Sequence, residues 1–135
     1  MQTKAIRIKT NPDPYKKFRI AQAYRVDNMI YISGQASIDL KGEVIGAGDF
    51  EAQAKQTFAN LQRLLELGGS GLSKVIKVTI FLTDMKNFDK ILFLREKYFS
   101  PPYPADTIIE VSQLALPELE IEIEAIALVN GEIID

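Results

Sequence analysis

The sequence predicts an α/β (α+β) domain in which one mixed β-sheet carries two helices on one face. Three observations predict it. Short β-branched or alternating segments recur along the chain, two stretches place apolar residues at helical period, and the order reads β-β-β-α-β-α-β-β. Helices that lie between strands are not hairpin connections, so the sheet is mixed rather than a simple meander.

Ala5 to Lys9 alternates and reads as a weak first strand. Asn11-Pro12-Asp13-Pro14 is a loop, because each proline fixes its own φ and restricts the residue before it. Ala23 to Val26 and Met29 to Ser33 flank Asp27-Asn28, a two-residue hairpin turn by its chemistry, and Ser33-Gly34-Gln35 then breaks the strand. The loop Asp39 to Glu43 leads into a short Val44-Ile45 segment. Asp49 is the N-cap of a first helix, Phe50 to Leu67, whose Phe50, Ala54, Phe58, Leu61, Leu64 and Leu65 make one apolar stripe. Glu51 and Lys55 are spaced to pair on its outer face, and Gly68-Gly69 supplies the stop. Val75 to Leu82 is a buried central strand by its β-branched content. A second helix, about Phe88 to Phe99, gathers Phe88, Ile91, Leu92, Arg95, Tyr98 and Phe99 near one face, and Ser100-Pro101-Pro102 ends it. Thr107 to Val111 and Ile121 to Val129 complete the sheet, with Pro117 in the loop between them.

With 135 residues the chain fits one domain, residues 1–135, and its 47% hydrophobic and 25% charged fractions are those of a globular protein. It contains no cysteine and no histidine. Disulfides, thiolate nucleophiles, Ser-His-Asp triads and every Cys- or His-ligated metal site are thereby removed. An all-carboxylate Mg or Ca site is compatible with the composition, but no EF-hand spacing occurs. Chemistry is left to carboxylates, hydroxyls, backbone groups, Lys or Arg. A net charge of -2 with scattered Lys and Arg carries no footprint for nucleic acid. No segment has the character of a signal peptide or a membrane span, so the expected location is the cytoplasm, with no membrane partner.

Two helices cover only one face of the sheet. The other face would leave a large apolar patch in water, so the chain is expected to self-associate, with a small-molecule pocket at the subunit boundary.

The last strand puts Glu120, Glu122 and Glu124 on one face and Ile121, Ile123, Ala125 and Ala127 on the other. On its own this is an apolar-in, charged-out alternation, the reading given to Glu120 and Glu124. A carboxylate turned into a cleft would instead orient or activate a water. Ser33-Gly34-Gln35 offers a hydroxyl and backbone N–H groups at a strand end, although such a run is also an ordinary turn. Gly68-Gly69-Ser70-Gly71 follows a helix and lacks the P-loop lysine, so it is a helix stop rather than a phosphate cradle. Phe88, Phe93, Tyr98 and Phe99, at helical spacing on an acidic chain, read as core rather than as base-stacking residues.

Ile32-Ser33-Gly34-Gln35, then Lys77 to Met85 (KVTIFLTDM), then Ile121 to Ala127 (IEIEAIA), within a match from about Gln22 to Leu128, resemble the Rid family. These are the reactive-intermediate deaminases, also called the YjgF family and known too as L-PSP endoribonucleases. The resemblance implies a chorismate-mutase-like fold and a barrel-shaped homotrimer with ligand clefts between subunits. It implies hydrolysis of enamines and imines of 2-amino acids to 2-keto acids and ammonia, with no metal or organic cofactor. Carried over residue by residue, it marks Glu122 as catalytic, and Ser33 and the backbone of Ile108 as ligand-binding. The family's tyrosine falls on Ile20 and its helix asparagine on Leu92. The arginine that clamps the substrate carboxylate falls on Asp106, followed by Thr107, in Pro104-Ala105-Asp106-Thr107.

Two unit charges about 4 Å apart at an effective dielectric near 20 interact by roughly 4 kcal/mol. Exchanging the clamp for Asp106 would therefore cost a carboxylate substrate about a thousandfold in affinity or more, and the bidentate orientation is lost with it. The expectation is a Rid protein that binds a neutral or cationic small molecule. Asp106 would face that ligand, Glu122 would position a water, and an imine, enamine or related C–N bond would be hydrolysed. One alternative is a non-catalytic binding or regulatory trimer, to which the missing tyrosine, arginine and asparagine point. Another is an ordinary 2-iminobutanoate/2-iminopropanoate deaminase in which Arg19 or Arg95 restores the clamp from elsewhere. The acidic balance and the missing histidines speak against a ribonuclease or translation inhibitor.

Overall fold

The computed structural model describes residues 2–135. The elements are β1 (Ala5–Ile8), β2 (Ala23–Val26), β3 (Met29–Ala36), α1 (Phe50–Leu67), β4 (Val75–Leu82), α2 (Phe88–Tyr98), β5 (Ala105–Glu110) and β6 (Ile121–Leu128), in the expected order. They form one six-stranded sheet, β1-β2-β3-β6-β4-β5. All neighbours are antiparallel except β4 and β5, and α2 is the crossover that a parallel pair needs. β5 begins at Ala105, earlier than its β-branched run suggests, because Ala105 already pairs with Lys77.

Local chemistry sets the boundaries. The Asp49 carboxylate accepts from the Ala52 N–H at 3.1 Å and satisfies one of the orphan donors of the first turn of α1. At the other end the two glycines serve different purposes. Gly69 takes φ +85°, whereas Gly68 has no room for a side chain: a Cβ would stand 2.5 Å from Ile30 Cδ1 and 2.7 Å from Ile8 Cδ1. The close approach pins β1 and β3 to the end of α1. Across the Asp27-Asn28 turn, Val26 pairs with Met29, and Asp27 takes the left-handed φ of +52° that short polar side chains tolerate.

The whole predicted stripe of α1 is buried, against Ile30, Ile80, Ile121 and Ile123 of the sheet. Tyr98 stacks on Phe58 with ring centroids 4.1 Å apart, and Phe99 meets the same ring edge-on at 5.8 Å, so α2 is anchored to α1 as well as to the sheet. Two local expectations fail. Glu51 pairs with Lys90 of α2 at 2.9 Å, not with Lys55, because the neighbouring helix brings an ammonium group to that face. Only Ile91 of α2 is fully buried; Phe93 is 74% exposed, Leu92 48% and Phe88 37%. The contacts of α2 with α1 and the sheet run along one narrow line, so these three residues are not core.

The sheet face opposite the helices is covered in part. Tyr15, Ala36, Ile38, Leu114 and Leu119 form a second buried cluster, joined by Phe81, Val111 and Leu116. The N-terminal loop and the segment before β6 thus close over one end of that face. Tyr24 and Tyr31 stay exposed on the remainder. Leu61→Ala, at the centre of the main core, is expected to cost about 2–5 kcal/mol, and Asp49→Ala about 1 kcal/mol, both measured by urea denaturation.

Candidate functional site

The Ser-Gly-Gln motif is a β-bulge. Ile32 pairs with Ala125 and Gln35 with Ile123, so Ser33 and Gly34 together stand opposite Glu124 alone. The bulge is tied down on every side. Ser33 N–H donates to the Gln22 carbonyl at 2.9 Å and its hydroxyl donates to the Ala21 carbonyl at 2.6 Å. Gln35 Nε2 donates to the Ser33 carbonyl at 2.9 Å, and the Tyr15 hydroxyl donates to the Gly34 carbonyl at 2.5 Å. Both donors of Ser33 are thus spent inside the fold. Contrary to the sequence expectation, Ser33 has no hydroxyl or amide hydrogen to give a ligand and meets one only as an acceptor.

Glu122 lies against this bulge. It sits between Ala36 of β3 and Phe81 of β4, both part of the second cluster. A Cβ on Gly34 would stand 2.4 Å from Glu122 Oε2 and 2.6 Å from Cδ. The carboxylate lies in the space a side chain at position 34 would fill, so a larger residue there would have to displace it. Burial, and then the charge of Glu124, push the Glu122 carboxyl above the ordinary carboxylate range. Tyr15 shares the environment: burial first, and the Glu122 charge second, raise its hydroxyl well above the usual tyrosine value. Both groups are therefore shifted toward their neutral forms, and a carboxyl shifted in that direction is a better proton donor than an ordinary one.

Ile20 and Ser33 line an open groove of about 520 Å³ on the helix-free face, together with Tyr24, Tyr31, Lys77 and Glu124. Glu124 is thus a groove residue rather than only a solvated outer position. Glu120 is also more than a solvated position, because the buried Gln53 donates to its carboxylate at 3.4 Å and accepts from its N–H at 2.8 Å.

The remaining expected residues lie elsewhere. Asp106 pairs with Val78 while Glu122 pairs with Phe81, three residues further along β4. The Asp106 side chain turns to the helix side, where both oxygens are taken: Arg95 donates through Nε and Nη2, each at 3.0 Å. Arg95, not Arg19, is the guanidinium that reaches this position, and the bare negative charge expected at Asp106 is neutralised. Thr107 accepts from Lys77 Nζ at 2.8 Å. Ile108 packs against the main core, and Leu92 is half exposed. Within one copy, then, Ile20, Ser33 and Glu122 belong to the helix-free face and Asp106 to the other. Tyr15, Lys77 and the two groove tyrosines carried no signal in the sequence; Tyr15 was hidden in a proline-bounded loop, 19 residues from the carbonyl it holds.

The comparisons with known proteins agree with this architecture. The family model described as Endoribonuclease L-PSP matches residues 9–129. A RutC family protein of Pyrococcus horikoshii is 42% identical over 79% of this chain and 84% of its own length. The crystal structure of RidA from the Antarctic bacterium Psychrobacter superposes with a TM-score of 0.81 at 34% identity, covering 90% of this chain and 97% of that one. The chain belongs to the Rid family. A further Rid relative, the human protein named 2-iminobutanoate/2-iminopropanoate deaminase, is 35% identical over 80% of this chain and 78% of its own length. The shared fold is one mixed sheet with two helices, and among the described residues no helix is long and apolar enough to cross a membrane.

A carboxyl whose folded pKa lies above its unfolded value gives its full stabilising contribution below the unfolded value and loses it as pH rises through the folded one. Glu122→Gln is therefore expected to melt at a higher temperature than the native chain at neutral pH, with the gap narrowing in acid; thermal melts across that pH range check this.

Proposed function

We propose that the chain hydrolyses the C–N bond of an imine or enamine, with Glu122 as the acid/base group. The observation that carries this reading is the half-buried Glu122 carboxyl, pushed above the ordinary range and packed into the space left by the missing side chain of Gly34. In its protonated form Glu122 donates a proton to the substrate, and the carboxylate then takes one from the water that attacks the electrophilic carbon. The imine and one water become a carbonyl and ammonia, and the enzyme ends in its starting protonation state. Family membership supports the reaction class, as does the activity in the names of several relatives.

We place the site between copies, in a homotrimer. Glu122 and Asp106 lie on opposite faces of one protomer and serve a single ligand only if they come from different copies. The groove with its exposed Tyr24 and Tyr31 supplies apolar surface for such a contact. Sedimentation equilibrium should give three times the chain mass.

A non-catalytic binding trimer is the second reading, favoured by the two spent donors of Ser33 and the apolar Ile20 in the groove. Ammonia release separates the two. With freshly generated imines, Glu122→Gln should lower turnover about 10²- to 10⁴-fold, and Gly34→Ala, which displaces the carboxylate without removing it, should act in the same direction. Binding of those imines without ammonia release would favour the second reading.

A further inference from the structure

We propose that Asp106 is an internal substitute for a ligand carboxylate: it fills the donor fork of Arg95 and restricts the ligand to molecules without a carboxylate at that end. The inference rests on the proposed ligand site for its consequence, while the pairing itself stands on geometry.

Arg95 meets Asp106 fork to fork, Nε to Oδ2 and Nη2 to Oδ1, each at 3.0 Å. This is the arrangement by which a guanidinium recognises any carboxylate side-on. Both side chains are largely but not fully covered, at 23% and 18% exposure, so the pair can be reached from solvent. The guanidinium is also held from below, with Cζ 5.9 Å from the centre of the Phe88 ring. That support does not involve Asp106, so the fork should persist when Asp106 is removed. Leu92 and Phe88 lie on the same side of α2, one turn and two turns back, and both are partly exposed, which gives the fork apolar flanks.

A carboxylate ligand would have to displace a competitor on the same chain, present at an effective concentration of about millimolar or higher. A ligand with no carboxylate has nothing to displace. The pairing thus changes the basis for the specificity expected from sequence. A carboxylate is refused because the cation it needs is already satisfied, and not because it meets a bare negative charge.

The test compares 2-oxobutanoate binding to the native chain and to Asp106→Ala, followed on the Arg95 Nε–Hε NMR signal. Asp106→Ala should bind 2-oxobutanoate saturably and at least about tenfold more tightly than the native chain. Acetate should bind too, the uncharged 2-butanone should not, and adding Arg95→Ala should abolish the gain. Asp106→Asn, which keeps the volume and removes the charge, serves if the alanine variant is unstable. Native binding as tight as that of the variant, or no carboxylate binding by a variant with a native circular dichroism spectrum, would overturn the proposal and mark the pair as a tie between α2 and β5. Turnover of a carboxylate-free imine by the native chain tests the hydrolytic reading separately, because the binding comparison needs no catalysis.

Discussion

The extra residue in β3 at Ser33-Gly34 and the carboxylate of Glu122 occupy one volume, and much of the chain is arranged around that fit. Gly34 gives up its side chain so that Glu122 can lie against the backbone. Tyr15 holds the Gly34 carbonyl from the N-terminal loop, and Ser33 takes the backbone of Ala21 and Gln22. The same loop and the segment before β6 build the small cluster that removes water from the carboxylate. Desolvation then does what no cationic partner opposes: it favours the protonated form. The packing around the bulge and the raised Glu122 carboxyl are in this way two aspects of one arrangement.

The two charged features of the chain are treated in opposite ways. Glu122 has no cationic partner among the described residues and is partly desolvated, a combination that costs stability and suits proton transfer. Asp106 and Arg95 pair fork to fork and together contribute no net charge. Since the two features lie on opposite faces of one sheet, the proposed ligand site would draw on both only where copies of the chain meet.

Much of the fold was legible because its signals are local. The period of the α1 stripe, the Asp49 cap, the Asp27-Asn28 turn and the alternation of β6 each depend on residues a few positions apart, and all are realised. The Glu51 pairing failed because its better partner, Lys90, comes from another helix. Phe88 and Phe93 failed as core residues because helical period tells which residues share a face, not how wide a strip the neighbours cover.

Of the site, Glu122 and the Ser-Gly-Gln run could be singled out, because motif order survives in a single sequence. What the neighbours do to them could not. The donors of Ser33 go to Ala21 and Gln22, and the charge of Asp106 is met by Arg95 from another element, neither of which a motif encodes. Tyr15 gave no sign of its role. The central claim is that bulge and cluster together hold Glu122 as an acid of raised pKa, and titration of its carboxyl by 13C NMR in the native chain tests this most directly. The expected midpoint lies above the ordinary 4.5; a midpoint at or below that value would contradict the claim.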